Sequence, residues 1–98
     1  MTGREIEVLE KAIDILKENL NPDKIILFGS RANGKHGKNA DFDLAVDIVK
    51  PDNRTRRLIT EKIDEETGLY SFDIVYLSSV DKNFKDLVLK TGKILYER

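Results

Sequence analysis

Two aspartates separated by one residue, Asp41 and Asp43, constrain this chain more than any other feature. They follow an apolar run that ends in Gly29-Ser30, and they open a second apolar run. On a strand, side chains two apart point to the same face, so both carboxylates share a face while Phe42 points into a core. Neighbouring carboxylates repel unless a cation lies between them, and Mg²⁺ takes both carboxylate and phosphate oxygens. The pattern therefore predicts chemistry on a nucleoside triphosphate.

Helical and strand patterns alternate along the rest of the chain. Apolar residues recur at three- and four-residue steps from Ile6 to Leu20, and Thr2 and Glu5 have the spacing of a capping box. Helices are predicted over 3–20, 52–67 and 80–91, the last of them capped by Ser79, with a helical turn around 31–33. Strands are predicted over 24–28, 42–49 and 71–77, followed by a short strand over 94–96. This alternation predicts an α/β or α+β fold, a small mixed sheet flanked by helices.

A third acid, Asp73, stands in a later apolar run. Adjacent strands lie about 5 Å apart, so pairing of the second and third strands would place Asp73 beside Asp43. Three carboxylates could then hold one or two Mg²⁺ ions, and two ions about 4 Å apart stabilise an in-line displacement at phosphorus. The alternative is that these acids cap strand ends or line a solvated face. Asp47 has the same strand parity but lies about 20 Å from Asp41, too far to share an ion.

The Gly29-Ser30 turn and Arg31 form the predicted phosphate side of the site. Gly29 has no Cβ, so a phosphate can approach the backbone closely. Ser30 offers a hydroxyl and an amide N–H, and a helical turn starting there would add free amides. The guanidinium of Arg31 could donate two charge-assisted hydrogen bonds to the triphosphate or the pyrophosphate. The alternative is that Arg31 is an ordinary surface residue. The polar residues that follow are interpreted as solvated: Lys35, His36 and Lys38.

Size and charge narrow the possible functions. At 98 residues the chain is expected to form one domain over residues 1–98. Charged residues make up 36% of the chain, but the net charge is -1. This near-neutral charge argues against nonspecific electrostatic binding to nucleic acid. The chain has no cysteine and no apolar stretch long enough to span a membrane, so we expect a cytoplasmic protein without disulfides.

The string from Leu27 to Gly34, followed by Asp41-Phe42-Asp43 and later by Asp73, resembles the minimal nucleotidyltransferases of the DNA polymerase β-like superfamily. The resemblance implies a mixed sheet flanked by helices, with Mg²⁺ held by Asp41, Asp43 and Asp73. It also implies that Gly29 and Ser30 contact the triphosphate of ATP. In that family, Asp73 would help to deprotonate the acceptor hydroxyl.

Small chains of this kind resemble the antitoxin half of toxin–antitoxin pairs whose partners are HEPN proteins. The resemblance implies transfer of AMP from ATP to a tyrosine of a HEPN toxin. Two alternatives stay open: a module that neutralises a toxin by binding alone, and nucleotidyl transfer to RNA or a small molecule. A homo- or hetero-oligomer is also open, because apolar residues lie off the main stripe of the first helix, at Val8, Ala12 and Ile15.

Overall fold

The computed structural model describes residues 1–34, 40–68 and 70–98. Within them, four strands form a single mixed sheet, and the chain has three α-helices. The helices are α1 (Gly3–Leu20), α2 (Asn53–Thr67) and α3 (Lys82–Thr91). The strands are β1 (Lys24–Phe28), β2 (Phe42–Val46), β3 (Phe72–Tyr76) and β4 (Lys93–Glu97), with a 3₁₀ turn over Leu77–Ser79. The predicted fold class, a small mixed sheet flanked by helices, is confirmed.

The sheet has the strand order β3-β2-β1-β4. β1 runs antiparallel to both of its neighbours, whereas β2 and β3 are parallel, with α2 forming the crossover between them. The parallel register sets Asp43 opposite Asp73, and the antiparallel register sets Phe28 opposite Asp43. β2, which carries Asp43 and directly follows Asp41, is therefore a neighbour of β3, which carries Asp73, and this meets the condition under which the sequence groups the acids.

Strand alternation gives the sheet two buried faces. On one face, α1 and α2 cover a large core that includes Leu16, Ile25, Phe42 and Ile63. On the other face, a smaller cluster holds Ile26, Ala45, Leu77 and Val88 together beneath α3. The face that carries Asp43 is thus buried around Ala45, whereas Asp43 itself is only partly buried.

The first helix begins and ends as the sequence predicts, and the Thr2–Glu5 capping box is present. Val8 and Ala12, which lie off the main apolar stripe of α1, are fully buried. The broad apolar surface of α1 therefore packs into the core. Ile6, on the predicted stripe, is 45% exposed instead. None of the helices in the described ranges has the length and apolar character of a membrane span.

Four local predictions need correction. The last helix is capped by Asp81, whose carboxylate accepts the Phe84 N–H at 2.8 Å, while the Ser79 hydroxyl donates to the Tyr76 carbonyl in the preceding 3₁₀ turn. The second strand ends at Val46 rather than residue 49. The apolar pattern of the helix over 52–67 predicts that Leu58, Ile59 and Ile63 face the core, but Leu58 is 46% exposed. Residues 30–34 form hydrogen-bonded turns rather than a helix.

Candidate functional site

The parallel pairing of β2 and β3 brings two of the predicted acids side by side. Asp43 and Asp73 are direct partners in the register, on strands that lie about 4.8 Å apart. Asp41 immediately precedes β2 and is exposed, two residues before Asp43 on the same face. Between them Phe42 is fully buried and anchors the start of the strand. All three carboxylates therefore gather at one end of the sheet.

The charges of these carboxylates act on one another. Burial raises the pKa of the Asp43 carboxyl, and the negative charges of Asp73 and Asp41 raise it further. A raised pKa means that the folded chain disfavours the ionised form of Asp43. A cation placed among the three acids would remove this penalty.

The donor chemistry of the three acids suits Mg²⁺, which prefers oxygen ligands. As the side chains stand, no three acidic or imidazole groups among the described residues are grouped closely enough to hold a metal ion. Asp41 and Asp73 are exposed, so both carboxylates can rotate toward Asp43 without disturbing the core. The acid set therefore fits a divalent cation through its oxygen ligands and through the charge repulsion that a cation would relieve.

Gly29 lies against the acid strand. Its φ of +75° is a backbone conformation that glycine adopts readily and other residues rarely do. A Cβ at this position would overlap Oδ2 of Asp43 and lie 3.2 Å from its Cγ. Both observations favour glycine here, and they place the predicted phosphate turn close to the predicted metal ligand Asp43.

Ser30 starts the turn that follows Gly29 and is partly buried. The Ala32 N–H donates to the Gly29 carbonyl at 3.2 Å, which closes a tight turn. Because no helix begins here, the expected row of free helix amides is not formed, and Ser30 contributes a single hydroxyl and amide. The loop residues Lys35, His36 and Lys38 lie outside the described residues.

Arg31 is buried, which excludes the alternative that it is an ordinary surface residue. Its side chain is 1% exposed and forms an ion pair with Glu5. Its Nε donates to the Ala40 carbonyl at 3.0 Å, and its guanidinium lies 4.0 Å from the centre of the Phe42 ring. A guanidinium held by these contacts must leave them before it can fork onto a triphosphate. In the free protein the charge of Arg31 is paired with Glu5, and its contact with phosphate stays a prediction.

Sequence reasoning missed the role of Glu5. One carboxylate oxygen accepts the Thr2 N–H at 3.0 Å, and the other pairs with Arg31. The Thr2 backbone hydrogen bond and the Arg31 hydrogen bond lower the pKa of Glu5 to about 2. Glu5 thus connects the start of α1 to Arg31, and through Arg31 to Ala40, the residue before Asp41. The capping-box spacing already explained why a glutamate stands at position 5. No signal in the sequence indicated that Glu5 also pairs with Arg31, 26 residues away.

Two cavities adjoin this end of the sheet. One, of about 340 Å³, lies between the Gly29 turn and α3 and is lined mostly by apolar side chains, Phe28 and Phe84 among them. The other, of about 410 Å³, runs along β3, and we call it the β3 groove. All five residues of β3 line the β3 groove, together with Lys50 and Arg56. Asp73 lines this groove, which therefore reaches one of the three acids.

Comparisons with known proteins provide evidence on the family and the fold of the chain. A family model described as polymerase beta, nucleotidyltransferase, matches residues 10–98. A chain of a toxin–antitoxin crystal structure with AMP-PNP is 30% identical, with a TM-score of 0.77 over 91% of this chain and 73% of that one.

Two further solved structures show the same likeness. In the complex of a tri-AMPylated Shewanella oneidensis HEPN toxin with an MNT antitoxin, a chain is 26% identical, with a TM-score of 0.71 over 97% of this chain and 73% of that one. A chain of the MntA–HepT toxin–antitoxin is 26% identical, with a TM-score of 0.70 over 94% and 72%. No curated protein matches the sequence.

Proposed function

Because this chain belongs to the polymerase beta nucleotidyltransferase family, we propose that it transfers AMP from ATP to a hydroxyl of a HEPN toxin and acts as its antitoxin. Tyrosine is the proposed acceptor side chain. The observation that carries the proposal is the contact of Gly29 with Asp43, which is itself paired in register with Asp73. Support comes from similar structures, one with AMP-PNP and one with a tri-AMPylated HEPN toxin.

The three acids have distinct roles in this proposal. Asp41, Asp43 and Asp73 would hold Mg²⁺, which when bound neutralises the charge that develops on the phosphates. Asp73, the exposed acid on the outer strand, accepts the proton of the attacking hydroxyl. The acceptor oxygen forms a bond to the α-phosphorus, the bond from that phosphorus to the bridging oxygen breaks, and pyrophosphate leaves.

The remaining residues of the site position the phosphates and the acids. Gly29 lets the triphosphate approach the backbone, and Ser30 donates its hydroxyl and amide to the terminal phosphates. Arg31 acts as a positioning residue, since its hydrogen bond to the Ala40 carbonyl fixes the segment that precedes Asp41. Positioning of this kind supplies much of the rate enhancement in phosphoryl and nucleotidyl transfer.

The test uses ATP labelled at the α-phosphate, Mg²⁺, the purified chain and a candidate HEPN partner. We expect a labelled band that protease destroys and ribonuclease leaves intact. Asp43→Ala should abolish the label, while the comparison variant Asp47→Ala, one residue beyond the end of β2, should retain it.

Other outcomes would replace the proposal. If Asp43→Ala still neutralises the toxin in cells, binding alone accounts for the antitoxin effect. If the label is sensitive to ribonuclease, the acceptor is RNA. If the label appears only on a small molecule added to the reaction, the acceptor is not a protein.

A further inference from the structure

The outer edge of β3 offers free backbone groups beside the acid cluster. Within the part of the chain that the structure describes, β3 is the terminal strand of the sheet and pairs with β2 alone. The Phe42 N–H donates to the Ser71 carbonyl at 2.9 Å, and backbone groups alternate in direction along a strand. The N–H and C=O groups of Phe72 and Ile74 therefore point away from β2. Among the described residues, none forms a hydrogen bond with them.

This edge lacks the features by which proteins usually protect an open strand. Edge strands are commonly blunted by lysine, proline or a bulge. β3 reads Phe-Asp-Ile-Val-Tyr, its only charge is Asp73, and its register with β2 is continuous. The opposite edge, β4, carries Lys93 and Glu97 at its ends and has a register shift against β1. An unprotected edge that adjoins a reaction site is suited to pairing with another chain.

The β3 groove is positively charged on the side away from Asp73. Lys50 forms no ion pair with any residue in the described ranges. Arg56 donates to Asn53, but its Nε is buried without a partner. Both cations line the same cavity as the free edge of β3. A segment that enters the groove could therefore satisfy backbone groups and cations together.

We propose that the β3 edge docks an extended acidic segment of the acceptor protein as a fifth strand. The segment pairs with the backbone of Phe72 and Ile74, directs a carboxylate to Lys50 and Arg56, and presents the acceptor hydroxyl at Asp73. This inference rests on the proposed function and adds how the acceptor is recognised. A peptide fits better than RNA, because a peptide backbone supplies the alternating donors and acceptors that an open strand edge requires.

The first test measures docking without any transfer. The probe is a fluorescent, end-capped octapeptide with one central tyrosine, alternating valine and threonine, and two glutamates. Binding is followed by anisotropy in the absence of ATP, and amide hydrogen exchange is followed residue by residue. We expect saturable binding and slower exchange at the amides of Phe72 and Ile74. Unchanged exchange at both amides would overturn the proposal.

Proline at position 74 tests the backbone contact. Ile74→Pro removes an N–H that points outward, so the pairing of β3 with β2 is kept. We expect the affinity of Ile74→Pro for the peptide to fall about tenfold. Ile74→Ala removes more of the side chain but keeps the N–H, so it should bind the peptide more tightly than Ile74→Pro. If the two variants bind equally, strand pairing is excluded as the docking mode.

A charge variant keeps the proposal testable if the proline variant fails to fold. The double variant Lys50→Gln, Arg56→Gln should weaken the peptide about tenfold and remove the dependence of binding on salt. Arg54→Gln lies on the exposed surface of α2 outside the groove and should leave binding unchanged. Equal losses in the double variant and in Arg54→Gln would overturn the assignment of the groove.

These tests separate the two proposals. Peptide docking that depends on residues 50, 56 and 74, with no transfer of labelled AMP, supports the docking edge and contradicts the proposed function. Transfer to a protein partner that is equally fast in Ile74→Pro and in the double charge variant supports the function and contradicts the docking edge. RNA that competes with the peptide for the same exchange-protected amides would also overturn the docking proposal.

Discussion

Gly29 lies so close to Asp43 that a side chain on Gly29 would have to displace the Asp43 carboxylate. A Cβ on Gly29 would lie 3.2 Å from the Asp43 Cγ and would overlap one of its carboxylate oxygens. The antiparallel pairing of Phe28 with Asp43 holds the end of β1 beside β2, and the absence of a side chain at Gly29 leaves room for the Asp43 carboxylate. This contact sets where a phosphate bound to the turn would lie relative to the acids.

Gly29→Ala should reduce both stability and activity. The positive φ costs about 1 kcal/mol for alanine, and the overlap with Asp43 adds to it by displacing the carboxylate. Gly34→Ala is a matched control, because Gly34 has a φ of +76° but open space around its Cβ position. Urea denaturation and AMP-transfer rates measure both. Equal losses in the two variants would show that the contact with Asp43 is unimportant.

Asp43→Asn should stabilise the metal-free protein while it abolishes transfer. The substitution removes a charge that burial and two neighbouring acids disfavour, so the midpoint of thermal unfolding is expected to rise without Mg²⁺. The stabilisation that Mg²⁺ gives the wild type should be lost, and transfer should fall on the order of 100-fold or more. Asp47→Asn provides the comparison. A lower unfolding midpoint for metal-free Asp43→Asn would argue against repulsion among the acids.

Arg31→Met distinguishes a positioning role from a phosphate contact. The variant leaves the Ala40 carbonyl without its donor, and the free energy of unfolding should fall by about 2 kcal/mol. Because Arg31 acts on the segment before Asp41, kcat should fall more than KM for ATP rises. A large rise in KM for ATP with unchanged stability would instead indicate that Arg31 contacts the triphosphate.

The stability of the protein should depend on Glu5 at acidic pH. The pKa of Glu5 is about 2 in the folded chain, against an ordinary value of 4.5. Its ionised form therefore favours folding fully above pH 4.5, and this contribution disappears as pH falls from 4.5 toward 2. Glu5→Gln should be less stable than the wild type at pH 7, with a difference that shrinks over that interval. Denaturation curves at pH 7, 4 and 2.5 measure it, and a constant difference would contradict the Glu5–Arg31 pairing.

The parts of the fold that follow from local pattern were predictable from the sequence. Periodicity and capping chemistry placed α1 between Gly3 and Leu20, and strand parity placed Asp41 and Asp43 on one face. The pairing of Asp43 with Asp73 required only that the two strands be neighbours, which is now observed.

Predictions that depended on distant partners were less successful. Arg31 follows a turn in a polar stretch, and such residues are usually exposed, yet tertiary packing supplies Glu5, Ala40 and Phe42 around its side chain. The cap of α3 was misplaced for a local reason. Ser79 and Asp81 are both good capping residues, and only the 3₁₀ turn over Leu77–Ser79 decides between them.

The crossover through α2 has a consequence for the order in which the protein is made. Gly29, Asp41 and Asp43 all precede α2, whereas Asp73 follows it. A nascent chain that has emerged only as far as Thr67 carries two of the three acids, and its β2 still lacks a parallel neighbour. Parallel strands must wait for their crossover, so the third carboxylate and the open edge of β3 form in the same late event. Under the proposed function, catalytic competence and the capacity to recognise a partner are acquired together during synthesis.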